Sequence, residues 1–173
     1  MKNHRQHIVA TEFDPIRGAW IYAVVLIAAG AVLSLILAVP VWLRGPETQR
    51  VAGACVKLFF SIVCHQDPDR CIFLGGHALA VCGRCTGIYA GFFLGVLIFP
   101  RMRPLGAASA PARTMLTLAS LPTVVELAFE WIGGMPSSNA VRAATGACLG
   151  AAVPFYMLPA FFQLASGWLN KRS

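Results

Sequence analysis

Charged residues are scarce in this 173-residue chain: seven are acidic and fourteen are basic, which makes 12% of the chain. Soluble domains usually have about 25% charged residues, most of them on the surface. Hydrophobic residues make up 57% of this chain, and its mean hydropathy is +0.67. These values exclude an ordinary water-soluble domain and indicate an integral membrane protein.

The excess of basic residues does not form the cationic stripe that nucleic-acid binding requires, because lysines and arginines are scattered at the ends of apolar segments. We therefore expect no nucleic-acid partner and a role for these charges in membrane orientation. The short apolar segment of a cleavable signal peptide, ~7–15 residues, is also missing. The first apolar run, residues 21–43, is longer than that and is expected to stay as an anchor.

Four apolar segments are long enough to cross a bilayer, which requires about 20 residues. They lie at about residues 21–43, 78–99, 114–132 and 140–169. Between the first two, residues 48–63 repeat apolar side chains at i, i+4, i+7, i+8 and i+11 from Val51, which is typical of an amphipathic helix in the membrane interface. We predict an all-α membrane protein, a single domain over residues 1–173, with four transmembrane helices and one interfacial amphipathic helix.

The loop between the second and third segments contains Arg101, Arg103 and Arg113 and no acidic residue. Short basic loops remain on the cytoplasmic side of a membrane. We therefore predict a multi-pass protein of the cell membrane with the N- and C-termini in the cytoplasm. The same orientation places these further basic residues inside: Lys2, Arg5, Arg17, Lys171 and Arg172. Residues 64–85 are then extracytoplasmic, where disulfides can persist.

Four of the six cysteines and two of the four histidines lie in one short connection, residues 64–85. In it, Cys82 and Cys85 form a CxxC pair at the start of a predicted helix, where free backbone N–H groups favour the thiolate. Thiolates and imidazoles are common ligands of zinc and of other transition metals. The predicted cofactor is therefore zinc or another transition metal. The predicted metal ligands are Cys64, His65, Cys82 and Cys85. Either Cys71 or His77 is an alternative fourth ligand.

Two other interpretations of these cysteines remain open. In the first, electrons pass from the Cys64/Cys71 pair to the Cys82/Cys85 pair and then to a quinone beside the second span. This layout resembles the quinone-linked disulfide-forming membrane proteins of the DsbB and vitamin K epoxide reductase group. In the second, structural disulfides tie the interfacial helix to the second span.

Ionisable side chains within the predicted spans gather at the extracytoplasmic end. Such groups cost about 3 kcal/mol each at the centre of a membrane unless they are paired, so a cluster of them marks a candidate functional site. The candidate cofactor-binding residues are Arg84, Glu126, Glu130, Asn139 and Arg142. In one interpretation the arginines bind an anionic lipid or a small anion. In the other, two Glu–Arg pairs hold the helices together.

Small residues recur at regular spacing in two of the spans. Gly87, Gly91 and Gly95 repeat every four residues in the second span, and Gly146 and Gly150 do so in the fourth. Because such ridges allow two helix backbones to approach closely, they predict that these two spans pack against each other.

Three short boxes indicate a family: Cys64-His65-Gln66, then Cys82-Gly-Arg-Cys-Thr-Gly-Ile-Tyr89, then Asn139-Ala-Val-Arg-Ala-Ala-Thr-Gly146. Over about residues 55–150 the chain resembles a bacterial and archaeal integral-membrane family, domain of unknown function 2085. The resemblance implies a polytopic membrane protein and no particular activity. The motif positions that it implies are Cys64, His65, Cys82, Arg84, Cys85, Asn139 and Arg142. The chain departs from the family pattern at Cys71, where serine is usual, and at Val125-Glu126, where Asp-Gly is common.

These features together predict a membrane protein with an extracytoplasmic Cys/His metal-thiolate site over an Arg/Glu-lined cavity. The alternative is a membrane thiol–disulfide oxidoreductase that uses Cys82 and Cys85. A metal with an open position would permit hydrolysis, whereas four protein ligands would make the site structural. Both an enzyme and a structural metal site fit the pattern.

Overall fold

The computed structural model describes residues 15–107, 109–134 and 136–170. Four of the basic residues on which the predicted orientation depends lie outside these ranges, namely Lys2, Arg5, Lys171 and Arg172. The description that follows applies to the three ranges.

The chain forms helices and one short hairpin. The helices are α1 (Pro15–Trp42), α2 (Glu47–Phe60), α3 (Gly83–Met102), α4 (Arg113–Gly133), α5 (Asn139–Ala152) and α6 (Pro154–Asn170). The strands β1 (Cys71–Leu74) and β2 (His77–Cys82) pair antiparallel after a single 3₁₀ turn at Pro68–Arg70. The fold class is thus mainly helical, as predicted.

Four helical segments are long and apolar enough to cross a membrane. They are Ile16–Trp42, Gly83–Met102, Arg113–Gly133 and Asn139–Ser166. Their outer surfaces are rich in exposed apolar side chains; Trp131 and Ile132 of α4, for example, are 90% and 88% exposed. An apolar surface of this kind suits contact with lipid chains rather than with water. The predicted four-span membrane architecture is confirmed.

The fourth span consists of two helices. Helix α5 ends at Ala152 and α6 begins at Pro154, with a turn at Val153 between them. Proline has no N–H group to donate to the preceding turn, and its ring disfavours helical geometry in the residue before it. The break between the two helices therefore lies at Pro154.

Helix α2 is the predicted interfacial helix. It packs against α1 and β2, with Gly53 and Phe60 buried, and its remaining surface exposes Val51, Leu58 and Phe59. An amphipathic helix whose apolar side chains are not covered by the rest of the protein is suited to the boundary between lipid head groups and chains.

The hairpin differs from the sequence-based prediction. Residues 78–82, assigned there to the second span, form strand β2, and the helix begins only at Gly83. Gly75 and Gly76 reverse the chain with φ values of 56° and 86°, which glycine adopts without strain. Leu79, Ala80 and Val81 are buried in the core cluster that also contains Ile36 of α1. The strand thus positions the CxxC pair at the N-terminal end of α3.

Helices α3 and α5 make the closest helix contact in the described chain. A Cβ atom on Gly87 or Gly91 would overlap the carbonyl group of the alanine opposite, Ala143 or Ala147. A Cβ on Gly95 would lie 2.5 Å from the Ala151 oxygen. The predicted packing of the second span on the fourth is therefore confirmed, and only glycine fits at these positions.

The glycine contact predicts the effect of one methyl group. We expect Gly91→Ala to lower the stability of the bundle by about 1–3 kcal/mol, because its Cβ forces α3 and α5 apart. Gly133→Ala is the matched control, since nothing lies within 4 Å of its Cβ position. Thermal unfolding in detergent compares the two variants with the parent, and equal midpoints for all three would contradict the packing.

Candidate metal-thiolate site

Three cysteine sulfurs form a cluster at the N-terminal end of α3. The Sγ atoms of Cys64, Cys82 and Cys85 all lie within 4.8 Å of one another. In a tetrahedral zinc site with Zn–S bonds of about 2.3 Å, sulfurs are about 3.8 Å apart. Small side-chain movements would therefore bring these three sulfurs onto one ion.

Cys64 reaches the cluster from the turn that follows α2. Its N–H donates to the Phe60 carbonyl oxygen at 2.9 Å, which continues the helical geometry for one more turn. Its sulfur accepts a hydrogen bond from the Cys82 N–H at 3.2 Å, and the residue is 6% exposed.

Cys82 and Cys85 are presented by the junction of β2 and α3. Cys82 is the N-cap residue of α3, and the Thr86 hydroxyl donates to its carbonyl oxygen at 3.1 Å. The Cys85 thiol donates a hydrogen bond to the Cys82 sulfur and, with further donors from the Cys85 and Arg84 backbone and from Cys64, lowers the Cys82 pKa to about 5 against the opposing effect of burial. Cys82 is then a thiolate at neutral pH, the form that binds metals and attacks disulfides.

The other predicted ligands lie outside this group of three. The His65 side chain is exposed, because the backbone turns away from α2 after Cys64 and residue 66 is left-handed. His77 lies at the far end of β2, opposite Leu74. Cys71 is opposite Cys82 across the hairpin and 2% exposed, and burial, followed by the nearby Cys64 and Cys82 sulfurs, raises its pKa.

The predicted ionisable residues do come together. Arg84 donates from Nη2 to Glu126 at 2.6 Å and reaches Glu130 at 3.5 Å. Arg142 donates from Nη2 and Nε to one oxygen of Glu130, at 2.5 and 3.0 Å. The two arginines and two glutamates link α3, α4 and α5 in a network without net charge, and we call these four residues the charge network.

The carboxylates of the charge network have additional donors. The Thr145 hydroxyl lies 3.2 Å from Glu126, and the Ser137 N–H donates to Glu130 at 3.1 Å. The side chains of Glu126 and Arg142 are each 4% exposed. Buried charges are stable only when they are both paired and hydrogen-bonded, which is the case here.

A cavity of about 710 Å³ connects the two groups of residues. The three clustered cysteines line it together with His65, Arg84 and Arg142. The cavity opens to the protein surface, so a ligand could reach the sulfurs. The cavity thus combines soft sulfur donors with the edge of the charge network.

Asn139 and Gln66 bind backbone groups around the cluster. Asn139 donates from Nδ2 to the Cys71 carbonyl oxygen at 2.8 Å, and its Oδ1 accepts from Arg142 at 3.3 Å, so it joins α5 to the hairpin. Gln66 was not predicted as a site residue. Its amide donates to the carbonyl oxygens of Lys57 and Ala80. The available signal was its place directly after Cys64-His65.

Comparison with known proteins is consistent with this membrane architecture. The family model described as "Predicted membrane protein (DUF2085)" matches residues 64–156. The chain belongs to this family. It is 39% identical over 110 residues to an uncharacterized protein of Methanocaldococcus jannaschii, covering 64% of this chain and 70% of that protein. It is 34% identical over 91 residues to one of Methanothermobacter thermautotrophicus, covering 53% of this chain and 80% of that protein. No solved structure matches the chain.

The charge network predicts a large cost for the loss of one partner. Glu126→Gln leaves the Arg84 guanidinium without its main carboxylate, which we expect to destabilise the protein by about 3–5 kcal/mol. The double variant Arg84→Met/Glu126→Met should be more stable than Glu126→Gln, because no unpaired charge remains on that pair. Unfolding in detergent measures both, with the exposed Glu47→Gln as control. A Glu126→Gln variant as stable as the parent would contradict the pairing.

Proposed function

We propose that this chain is a membrane metal-thiolate protein in which Cys64, Cys82 and Cys85 bind one zinc or similar transition-metal ion. The observation that carries the proposal is that their three sulfurs lie within 4.8 Å of one another although they come from two separate parts of the fold, the turn after α2 and the β2–α3 junction. The low pKa of Cys82 supports it, because metal binding requires the thiolate. Sulfur donors favour zinc and other soft ions over magnesium or calcium.

A fourth ligand of the ion would come from the cavity that the three cysteines line. Three protein ligands and an exchangeable fourth are typical of catalytic zinc sites, in which the ion acts as a Lewis acid on a bound ligand. The predicted four-ligand site with His65 is the closed version of the same arrangement. Because the His65 side chain is exposed and outside the sulfur cluster, the structure favours the open version.

The proposed site belongs on the extracytoplasmic face of the cell membrane. Three arginines surround the connection between α3 and α4, at the end of α3 opposite the cysteines: Arg101 in the last turn of α3, Arg103 in the loop and Arg113 at the start of α4. The positive-inside rule puts that loop in the cytoplasm. The anionic lipid or small anion expected from the sequence would have to compete with Glu126 and Glu130 for Arg84 and Arg142.

The metal site predicts a specific pattern of metal content. Protein purified without added metal should contain about one zinc or iron per chain, with its thiols free. Cys82→Ser should lose the metal, because a ligand is removed, whereas Cys55→Ser should keep it, since Cys55 is exposed on α2 and outside the cluster. Elemental analysis and a free-thiol count under denaturing conditions measure both quantities. A Cys82→Ser variant with unchanged metal content would rule out the ligand role.

His65 separates the open site from the closed one. In the open site, His65→Ala should retain the metal at the stoichiometry of the parent, because its ring is not a ligand. Elemental analysis of that variant measures the result. Loss of metal from His65→Ala would instead establish the four-ligand site.

A thiol–disulfide oxidoreductase is the second candidate. The observation in its favour is the Cys82 thiolate beside the Cys85 thiol, the arrangement of an exchange-competent pair. It predicts no bound metal and a Cys82–Cys85 disulfide, so two thiols would be missing from the free-thiol count. A Cys85→Ser variant should then accumulate a mixed disulfide through Cys82 with its partner.

A further inference from the structure

Gln66 adopts an unusual backbone conformation beside the cluster. Its φ angle is 52°, and it is the one non-glycine residue with positive φ in the part of the chain that the structure describes. A side chain in this region is uncommon and costs free energy unless neighbouring contacts hold it there. The contacts of the Gln66 side chain must therefore stabilise this backbone conformation.

The Gln66 amide binds two backbone groups that belong to different elements. Its Nε2 donates to the Lys57 carbonyl oxygen at 2.6 Å and to the Ala80 carbonyl oxygen at 2.8 Å. The Lys57 oxygen lies in the last turn of α2 and also accepts from the Ser61 N–H at 2.9 Å. Ala80 lies within β2 and is fully buried. One side chain thus ties the end of α2 to β2.

The two elements that these bonds join carry two of the three clustered cysteines. Cys64 is two residues before Gln66, on the helical turn that continues α2. Cys82 is two residues after Ala80 and is the last residue of β2. Holding Lys57 close to Ala80 therefore holds the Cys64 sulfur close to the Cys82 N–H, to which it is bonded at 3.2 Å.

We propose that Gln66 is the positioning residue of the three-sulfur site: its amide, held in a left-handed turn, keeps Cys64 within reach of Cys82 and Cys85. The inference rests on the proposed metal site. Gln66 is not one of the three candidate ligands; its amide binds backbone oxygens and acts through the backbone that carries Cys64. Cys82 and Cys85 are held by the β2–α3 junction and do not depend on it.

Removal of the amide donors should weaken metal binding by loss of one ligand. Gln66→Glu keeps the size of the side chain but replaces the donor with a carboxylate, which only accepts and faces two carbonyl oxygens. Gln66→Gly deletes the donors while relieving the left-handed strain. Gln49→Glu is the matched control, the same chemical change on an exposed residue of α2.

The measurement is zinc affinity by chelator competition, with cobalt substituted in a parallel sample. Loss of an outer partner of a metal ligand typically weakens binding by about 10–100-fold. We expect at least a tenfold weakening in both Gln66 variants, with a sulfur-to-cobalt charge-transfer band reduced from three thiolates towards two. Gln49→Glu should match the parent in affinity and spectrum. A parent-like affinity and cobalt band in both Gln66 variants would overturn the inference.

A second readout keeps the inference testable apart from the metal. In metal-free protein, Cys64 is 6% exposed, so alkylation should label it slowly. We expect Gln66→Gly to speed that labelling at least tenfold, as read by peptide mass spectrometry, with Cys85 labelled at the parent rate. If the parent protein binds no metal, the proposed function alone is contradicted. If the labelling rate of Cys64 is unchanged in both Gln66 variants, the positioning role is contradicted.

Discussion

The close contact between α3 and α5 is the constraint on which the cysteine-bearing end of this bundle depends. Gly87, Gly91 and Gly95 bring the two backbones together, and a Cβ on Gly83 would lie 3.1 Å from the Asn139 carbonyl oxygen. Because β2 runs directly into α3, this contact also sets the level of the CxxC pair. The sulfur cluster, the Asn139 bond to the hairpin and the charge network consequently lie at one end of the protein.

The charge network completes that end by attaching α4. Among the described helices, α4 packs mainly on α5, and its carboxylates reach across to Arg84 of α3. In a membrane there is little hydrophobic force between helices, so close packing and polar pairs carry more of the association. Glycine ridges hold α3 on α5, and buried ion pairs hold α4 on both.

Much of this arrangement was predictable from sequence because its signals are local or periodic. The apolar runs, the glycine spacing and the CxxC pair each follow from residues close together in the chain. The hairpin was not predictable, because residues 78–82 continue into the apolar run of the second span. Whether they form a strand or a helix depends on the turn that Gly75 and Gly76 make. The roles of Gln66 and Asn139 depend on backbone groups that folding brings near them. No pattern of residue types encodes such distant contacts.

Because both arginines are paired with glutamates, the cysteine sulfurs are the groups in the cavity that can bind a ligand without breaking an ion pair. An anion that bound Arg84 or Arg142 tightly would have to displace a carboxylate, which would remain buried and unpaired at a cost of several kcal/mol. A cation at the three sulfurs requires no such exchange. It replaces the protons of the thiols and reduces the repulsion between neighbouring thiolates. A metal at the three sulfurs would therefore leave the charge network intact, and the network keeps α3, α4 and α5 together beside the cavity.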